Sequence, residues 1–191
     1  MYHEVFLFLH DRNIVRHVAR LFQASSSTSF DTIQTMNYWL IKTEPDCYSI
    51  DDLARDKKAS WSGIRNYQAR NFMKSMKVGD LAIFYHSSAN PPAAAGIAEV
   101  LTEAYPDDTA RDPKDDHYDP KATETNPIWF MVNFGFTEKF KNPITLSEIK
   151  FNPDLHGIMV GQQGSRLSVQ PVSKKHFNII RKLGSKSVSK K

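Results

Sequence analysis

A single cysteine, Cys47, among 191 residues leaves no partner for an internal disulfide and no multi-cysteine zinc site. It fits a reducing compartment, and we expect the cytoplasm, or the nucleus if the source is a eukaryote. Long apolar runs are missing too: none approaches the ~20 residues of a membrane-spanning helix, so no membrane partner is expected. Val5-Phe6-Leu7-Phe8-Leu9 is too short for a signal-peptide core, and no basic region precedes it. There is little excess of charge of either sign, with 25 basic and 21 acidic side chains and a net charge of +4. Residues 1–35 hold three of each sign, Met36 to Leu183 hold 19 basic and 18 acidic, and the tail from Gly184 adds Lys186, Lys190 and Lys191. That balance excludes a strongly basic, non-specific coat for nucleic acid. No Gly-x-Ser-x-Gly element, P-loop or dinucleotide fingerprint occurs, which removes the commonest hydrolase and nucleotide-binding classes. Asp112, Asp115, Asp116, His117 and Asp119 crowd together, but their spacing matches no EF-hand loop. We read them as a solvated acidic loop and expect neither metal nor cofactor.

What is present is enough for one domain with a core, at 40% hydrophobic and 24% charged residues. The chain is organised around residues 61–86, read as a loop, a helix, a turn and a strand. Asn66 can cap a helix through its side-chain oxygen. Ala69, Phe72, Met73 and Met76 then fall at i, i+3, i+4 and i+7, one apolar face. Gly79-Asp80 breaks that pattern and Leu81 to Tyr85 reads as a strand. Trp61, Arg65 and Arg70 therefore lie at or near a helix start, where free amides favour anions.

Around this stretch, Tyr38 to Lys42 reads as a strand that leaves its sheet at Thr43-Glu44-Pro45. Ser49 to Leu53 reads as a capped short helix. Ala94 to Tyr105 and Ile128 to Phe140 are strand candidates, separated by a long polar loop from Pro106 to Pro127. Ile144 to Phe151 reads as a short helix and Arg166 to Val172 as a last strand. A final helix starts at Ser173 and ends at Gly184. Strands separated by single short helices, without βαβ alternation, predict an α+β fold: a small mixed barrel rather than a doubly wound sheet. Residues 1–35 are expected to be an extension upstream of a start at Met36, disordered or partly helical over 12–22, where Ile14, Val15, Val18, Leu21 and Phe22 share a face. Arg12, Arg16 and Arg20 with the serines of 25–29 faintly suggest a transit peptide, but Glu4, Asp11 and Asp31 count against it. The domain is expected over 36–183 and a disordered basic tail over 184–191.

Two segments, Gly63-Ile64-Arg65-Asn66-Tyr67-Gln68-Ala69-Arg70-Asn71 and Arg166-Leu167-Ser168-Val169-Gln170-Pro171, resemble motifs of the EVE domain, a PUA-like family. Tyr38 to Pro45, Tyr48 to Leu53, His117 to Pro120 and Trp129 to Val132 match in family order. Ser62 and Ile64 stand where Asp and Val are common. The resemblance implies a mixed pseudo-barrel of about six strands flanked by short helices, with a pocket between them. It implies binding of DNA or RNA through a modified base, such as a methylated or hydroxymethylated cytosine, without catalysis. EVE domains are similar in fold to YTH domains, which hold a methylated adenine in an aromatic cage.

A base reader needs a stacking surface, polar groups for the base edge and cations for flanking phosphates. Trp39, Trp61, Tyr85 and Trp129 are candidates for the surface, with the core as the rival place for each tryptophan. Asn66 and Asn71 suit a base edge, although Asn66 suits a helix cap equally. Lys42, Arg65, Arg70 and Arg166 suit phosphate. Ser87 and Ser168 are small polar candidates. Glu44 and His86 are the acid–base candidates of the alternative reading, an enzyme acting on a flipped base. A small-metabolite module is a third.

Overall fold

The computed structural model describes residues 36–186; the expected extension and the last five residues of the tail lie outside them. Among the described residues seven strands form one mixed sheet: β1 Tyr38–Thr43, β2 Lys58–Trp61, β3 Leu81–His86, β4 Ala93–Val100, β5 Tyr105–Pro106, β6 Phe130–Thr145 and β7 Val169–Val172. Their order is β2-β6-β4-β3-β1-β7, with β5 paired to β6, so the sheet curls without closing. Only β1 and β3 run parallel; every other pairing is antiparallel. Among the described residues four α-helices flank the sheet: α1 Ile50–Asp56, α2 Tyr67–Ser75, α3 Leu146–Phe151 and α4 Lys174–Ser185. This is the expected PUA-like α+β architecture.

Strand alternation divides the interior in two. Trp39 and Ile41 of β1 and Phe84 of β3 join Ile50 and Leu53 of α1 and Ala69 and Met73 of α2 on one face. Leu40, Ile83 and Tyr85 join Ile149 of α3 and Phe177 and Ile180 of α4 on the other. The helix starts follow their sequence. Ser49 and Asp52 form a reciprocal capping box on α1. Asn66 Oδ1 accepts from the amides of Gln68 and Ala69 at 2.9 and 3.0 Å, the predicted cap. On the predicted apolar face of α2, Ala69, Met73 and Met76 are fully buried, and Phe72 packs against Trp39 with ring centroids 6.2 Å apart. Each of the two methionines contributes about 1.5–3 kcal/mol by leaving water. The α2–β3 turn depends on Gly79, at φ 91°, and on buried Asp80. Asp80 accepts from Asn37 N, Lys77 N and Trp39 Nε1, the last at 2.9 Å.

Several boundaries differ from expectation. The sequence puts Trp61 in a polar loop; it ends strand β2, opposite Val132. Four residues are too few to show alternation, and pairing with β6 makes them a strand. β4 stops at Val100 instead of Tyr105, while β6 runs past Phe140 because Ala93 and Ala94 pair with Thr145 and Ile144. β7 begins at Val169, leaving Arg166 to Ser168 in a loop. Gly184 does not end the last helix. It lies inside α4 and is buried, and a Cβ there would overlap the Phe140 ring. The 106–127 segment is not structureless: it holds a 3₁₀ turn over Asp108–Arg111, and its Ala110 and Ala122 form a small core with Trp129.

Candidate functional site

The parallel pair β1/β3 brings two carboxyl ends to one edge, with Lys42 opposite Tyr85 and Thr43 opposite His86. β7 runs the other way, Val169 opposite Ile41, so the preceding loop arrives at the same edge. Pro92 precedes β4 there, and its carbonyl accepts from Leu146 N at the start of α3. The result is a pocket of about 340 Å³ whose lining includes Lys42, Tyr85, Ser87, Ser88, Pro92, Leu146, Lys150, Val160, Ser165 and Arg166. Sites for small ligands commonly start near ~300 Å³.

Hydrogen bonds fix its walls. Lys42 N donates to Ser168 O at 2.8 Å, extending the β1–β7 ladder by one step. Lys42 Nζ donates to Ser165 O at 2.8 Å. Buried Gln170 donates to Ser165 Oγ at 2.9 Å and to Leu167 O at 2.8 Å. Residues 165–168 are thus a loop pinned from beneath by the Gln170 amide, with Arg166 exposed on it. Ser87 Oγ donates to Thr43 O at 3.1 Å, and Ser88 Oγ donates to Glu44 at 2.8 Å. Burial lowers the pKa of the Lys42 ammonium from its ordinary value. Burial also pushes the Tyr85 hydroxyl up to about 12, so it stays a neutral donor.

Of the sequence candidates, Lys42, Tyr85, Ser87 and Arg166 meet in this pocket, and Glu44 is one hydrogen bond away through Ser88. The others are elsewhere. Trp39 and Trp61 lie in the core on the opposite face from Tyr85, so these three rings do not surround one base. Trp61 is 8% exposed and meets Phe84 and Phe134 edge-on, with centroids 5.5 and 5.6 Å away. Trp129 precedes β6 rather than lying in it, and its Nε1 donates to Asp119 at 2.7 Å. Ser168 contributes its carbonyl to the ladder, and Asn66 contributes its side chain to the cap.

His86 Nε2 accepts from Ile50 N at 3.1 Å, at the start of α1. Burial holds its pKa below the ordinary value, outweighing nearby Asp51. Its lone pair is therefore spent on a helix amide, and Glu44 is engaged by Ser88. Arg65 is a correction of a different kind. Its guanidinium donates to Asp107 at 2.7 Å, to Thr109 at 2.9 Å and to the carbonyls of His117 and Ile64. Burial pushes the Asp107 carboxyl up, but Arg65, Thr109 and Gly63 N hold it below the usual range. Arg65 therefore ties the acidic loop to the domain instead of presenting itself to phosphate. Arg70 donates to Ile128 O at 3.0 Å and to Asn71 Oδ1 at 2.8 and 3.1 Å, and lies over the Tyr67 ring. Lys150 and Ser165, absent from the sequence reading, complete the pocket; nothing in their local pattern relates α3 or the 157–165 loop to β1.

Among the described residues no group of three or more metal-ligating side chains could hold an ion, and no helix is long and apolar enough to cross a membrane. The EVE domain family model matches residues 37–183. Human thymocyte nuclear protein 1 is 37% identical over 185 residues, covering 87% of this chain and 82% of the relative. The mouse protein of that name is 40% identical over 162 residues, covering 75% and 72%. Among solved structures, a Pseudomonas syringae protein aligns with a TM-score of 0.74 at 46% identity, covering 76% of this chain and 98% of its own. Human THYN1 protein in complex with 5-methylcytosine-containing DNA aligns with a TM-score of 0.74 at 36% identity, covering 80% and 99%.

Proposed function

The chain belongs to the EVE domain family, and on that premise we propose that it is a non-enzymatic nucleic-acid-binding module that takes up a modified base, methylated or hydroxymethylated cytosine being the leading candidates. The observation that carries the reading is the convergence of Lys42, Tyr85, Ser87 and Arg166, from three separate segments, on one pocket. A human relative 36% identical to this chain has been solved with 5-methylcytosine-containing DNA. In the pocket, Pro92, Leu146 and Val160 offer apolar walls for a ring face. The Tyr85 hydroxyl offers a neutral donor to the ring's edge. Lys42 and Arg166 offer charge to the strand, which positions it without reading sequence.

Binding without catalysis fits the placement of His86 and Glu44, each already engaged by a partner inside the fold. The test is incubation with DNA and RNA oligonucleotides carrying plain, methylated or hydroxymethylated cytosine, followed by native and denaturing mass measurement. The expected result is retention of a modified oligonucleotide at unchanged mass. A covalent mass change would favour the enzyme reading, and retention of none would remove the nucleic-acid reading.

A further inference from the structure

The pocket carries an unbalanced charge. Three of its lining residues are cations, Lys42, Lys150 and Arg166, and among the described residues no carboxylate lines it. Elsewhere Arg55, Arg65, Lys77, Arg111, Lys139 and Arg181 each pair with an acid. Among the described residues, none of the three pocket cations has such a partner; Lys42 Nζ meets only the Ser165 carbonyl. An ammonium has three donors, so two remain on Lys42. Lys150 projects from α3, and its Cγ lies 3.8 Å from where a Cβ on Gly161 would stand, so its stem rests on the 3₁₀ turn over Met159–Gly161. The neutral donors differ in availability. The Ser87 and Ser88 hydroxyl protons are spent on Thr43 O and Glu44, whereas the Tyr85 hydroxyl has no partner among the described residues.

We propose that this pocket is an oxyanion site, in which Lys42, Arg166 and Lys150 neutralise a charged oxygen group and the Tyr85 hydroxyl donates to it. Charge-assisted hydrogen bonds from several cations at once suit phosphate and carboxylate alike. The oxyanion has two sources: a phosphate of the bound strand, or a carboxylate on the base itself. The strand source rests on the nucleic-acid reading above; the site itself does not. A bound anion also opposes the effect of burial on Lys42, because a neighbouring negative charge favours the charged amine.

The experiment titrates the wild-type chain, Lys150→Gln, Arg166→Gln and a charge control, Lys58→Gln on β2. The probes are inorganic phosphate, a nucleoside 5′-monophosphate, and matched oligonucleotides carrying cytosine, 5-methylcytosine or 5-carboxylcytosine. Lys150 and Arg166 are exposed, so melting curves should show all variants folded. Lys150→Gln is expected to weaken binding about three- to tenfold, and Lys58→Gln to leave it within about twofold. A loss confined to the 5-carboxylcytosine strand assigns the oxyanion to the base. An equal loss on every strand and on the monophosphate assigns it to the backbone phosphate. If phosphate and monophosphate bind and respond to Lys150→Gln while no oligonucleotide binds, the oxyanion site stands and the nucleic-acid reading falls. If Lys150→Gln and Arg166→Gln leave every probe unchanged, the proposal is overturned.

Discussion

Truncating Trp61 to alanine separates a core role from a base-stacking role. The indole is 8% exposed and meets Phe84 and Phe134 edge-on. A tryptophan buries up to ~250 Å², which at ~25 cal/mol per Å² is about 6 kcal/mol as an upper bound. Large-to-small substitutions of buried aromatics cost about 3–5 kcal/mol, and each aromatic pair removed adds roughly 0.5–1.5 kcal/mol to the area term. We therefore expect Trp61→Ala to destabilise the domain by about 4 kcal/mol. For a domain of this size that is a fall in Tm of roughly 8–16 °C. Urea unfolding followed by circular dichroism gives the free energy, and scanning fluorimetry gives Tm. Below the transition, the folded fraction should keep its preference among modified and plain oligonucleotides. A Tm within a few degrees of wild type, together with loss of that preference, would refute the core assignment and make Trp61 a ligand wall.

Three further outcomes follow from individual side chains. His86 is neutral in the fold with its pKa depressed by burial, so its contribution is complete above about pH 6.5 and is lost as pH falls below that value; His86→Gln, which keeps an acceptor for Ile50 N, should flatten the decline of Tm between pH 7 and 5, and an unchanged slope would show that another group controls it. Asp107→Ala leaves Arg65 and Gly63 N without their acceptor and should cost about 3–5 kcal/mol by urea unfolding, while in wild type the depressed Asp107 pKa means that this contribution is present above about pH 4 and is lost as pH falls further. Deleting residues 187–191 removes Lys190 and Lys191 while sparing Ser185, which bonds Glu138, and Lys186, whose carbonyl accepts from Asn142; the salt slope of oligonucleotide binding should fall by up to ~0.9 for each phosphate that a deleted lysine neutralises, with base preference intact, and disappearance of the preference would move selectivity to the tail.

The residues that build the domain are legible where local chemistry decides. Asn66 caps α2 because its oxygen reaches two free amides. Ala69, Met73 and Met76 face the core because helical spacing puts them on one side. Trp39, Leu40, Ile41 and Lys42 read equally well as a strand, but sequence does not say which face meets a ligand. That choice depends on β1 pairing with β3 and β7, contacts between residues about 40 and 130 positions apart. Lys42 and Arg166 are readable as candidates because each sits at an element's end within a family motif, and Tyr85 and Ser87 because they stand where a strand runs out into a loop. Lys150 carries no such signal, since an exposed lysine on a short helix looks like any solvated residue. Arg65 misleads for the opposite reason. It stands in a basic motif, and the buried carboxylate that claims it, Asp107, comes 42 residues later.

The most direct measurement is equilibrium binding of matched oligonucleotides, one plain and one carrying 5-methylcytosine, to the wild-type chain and to a Lys42→Met/Tyr85→Phe double variant. Melting curves recorded alongside show whether both proteins are folded. Lys42 and Tyr85 both line the pocket, so the wild type should favour the modified strand, and the double variant should bind both strands more weakly and nearly equally while melting within a few degrees of wild type. Equal binding of both strands by the wild type, or a preference that survives intact in the folded double variant, would contradict recognition of the base in this pocket.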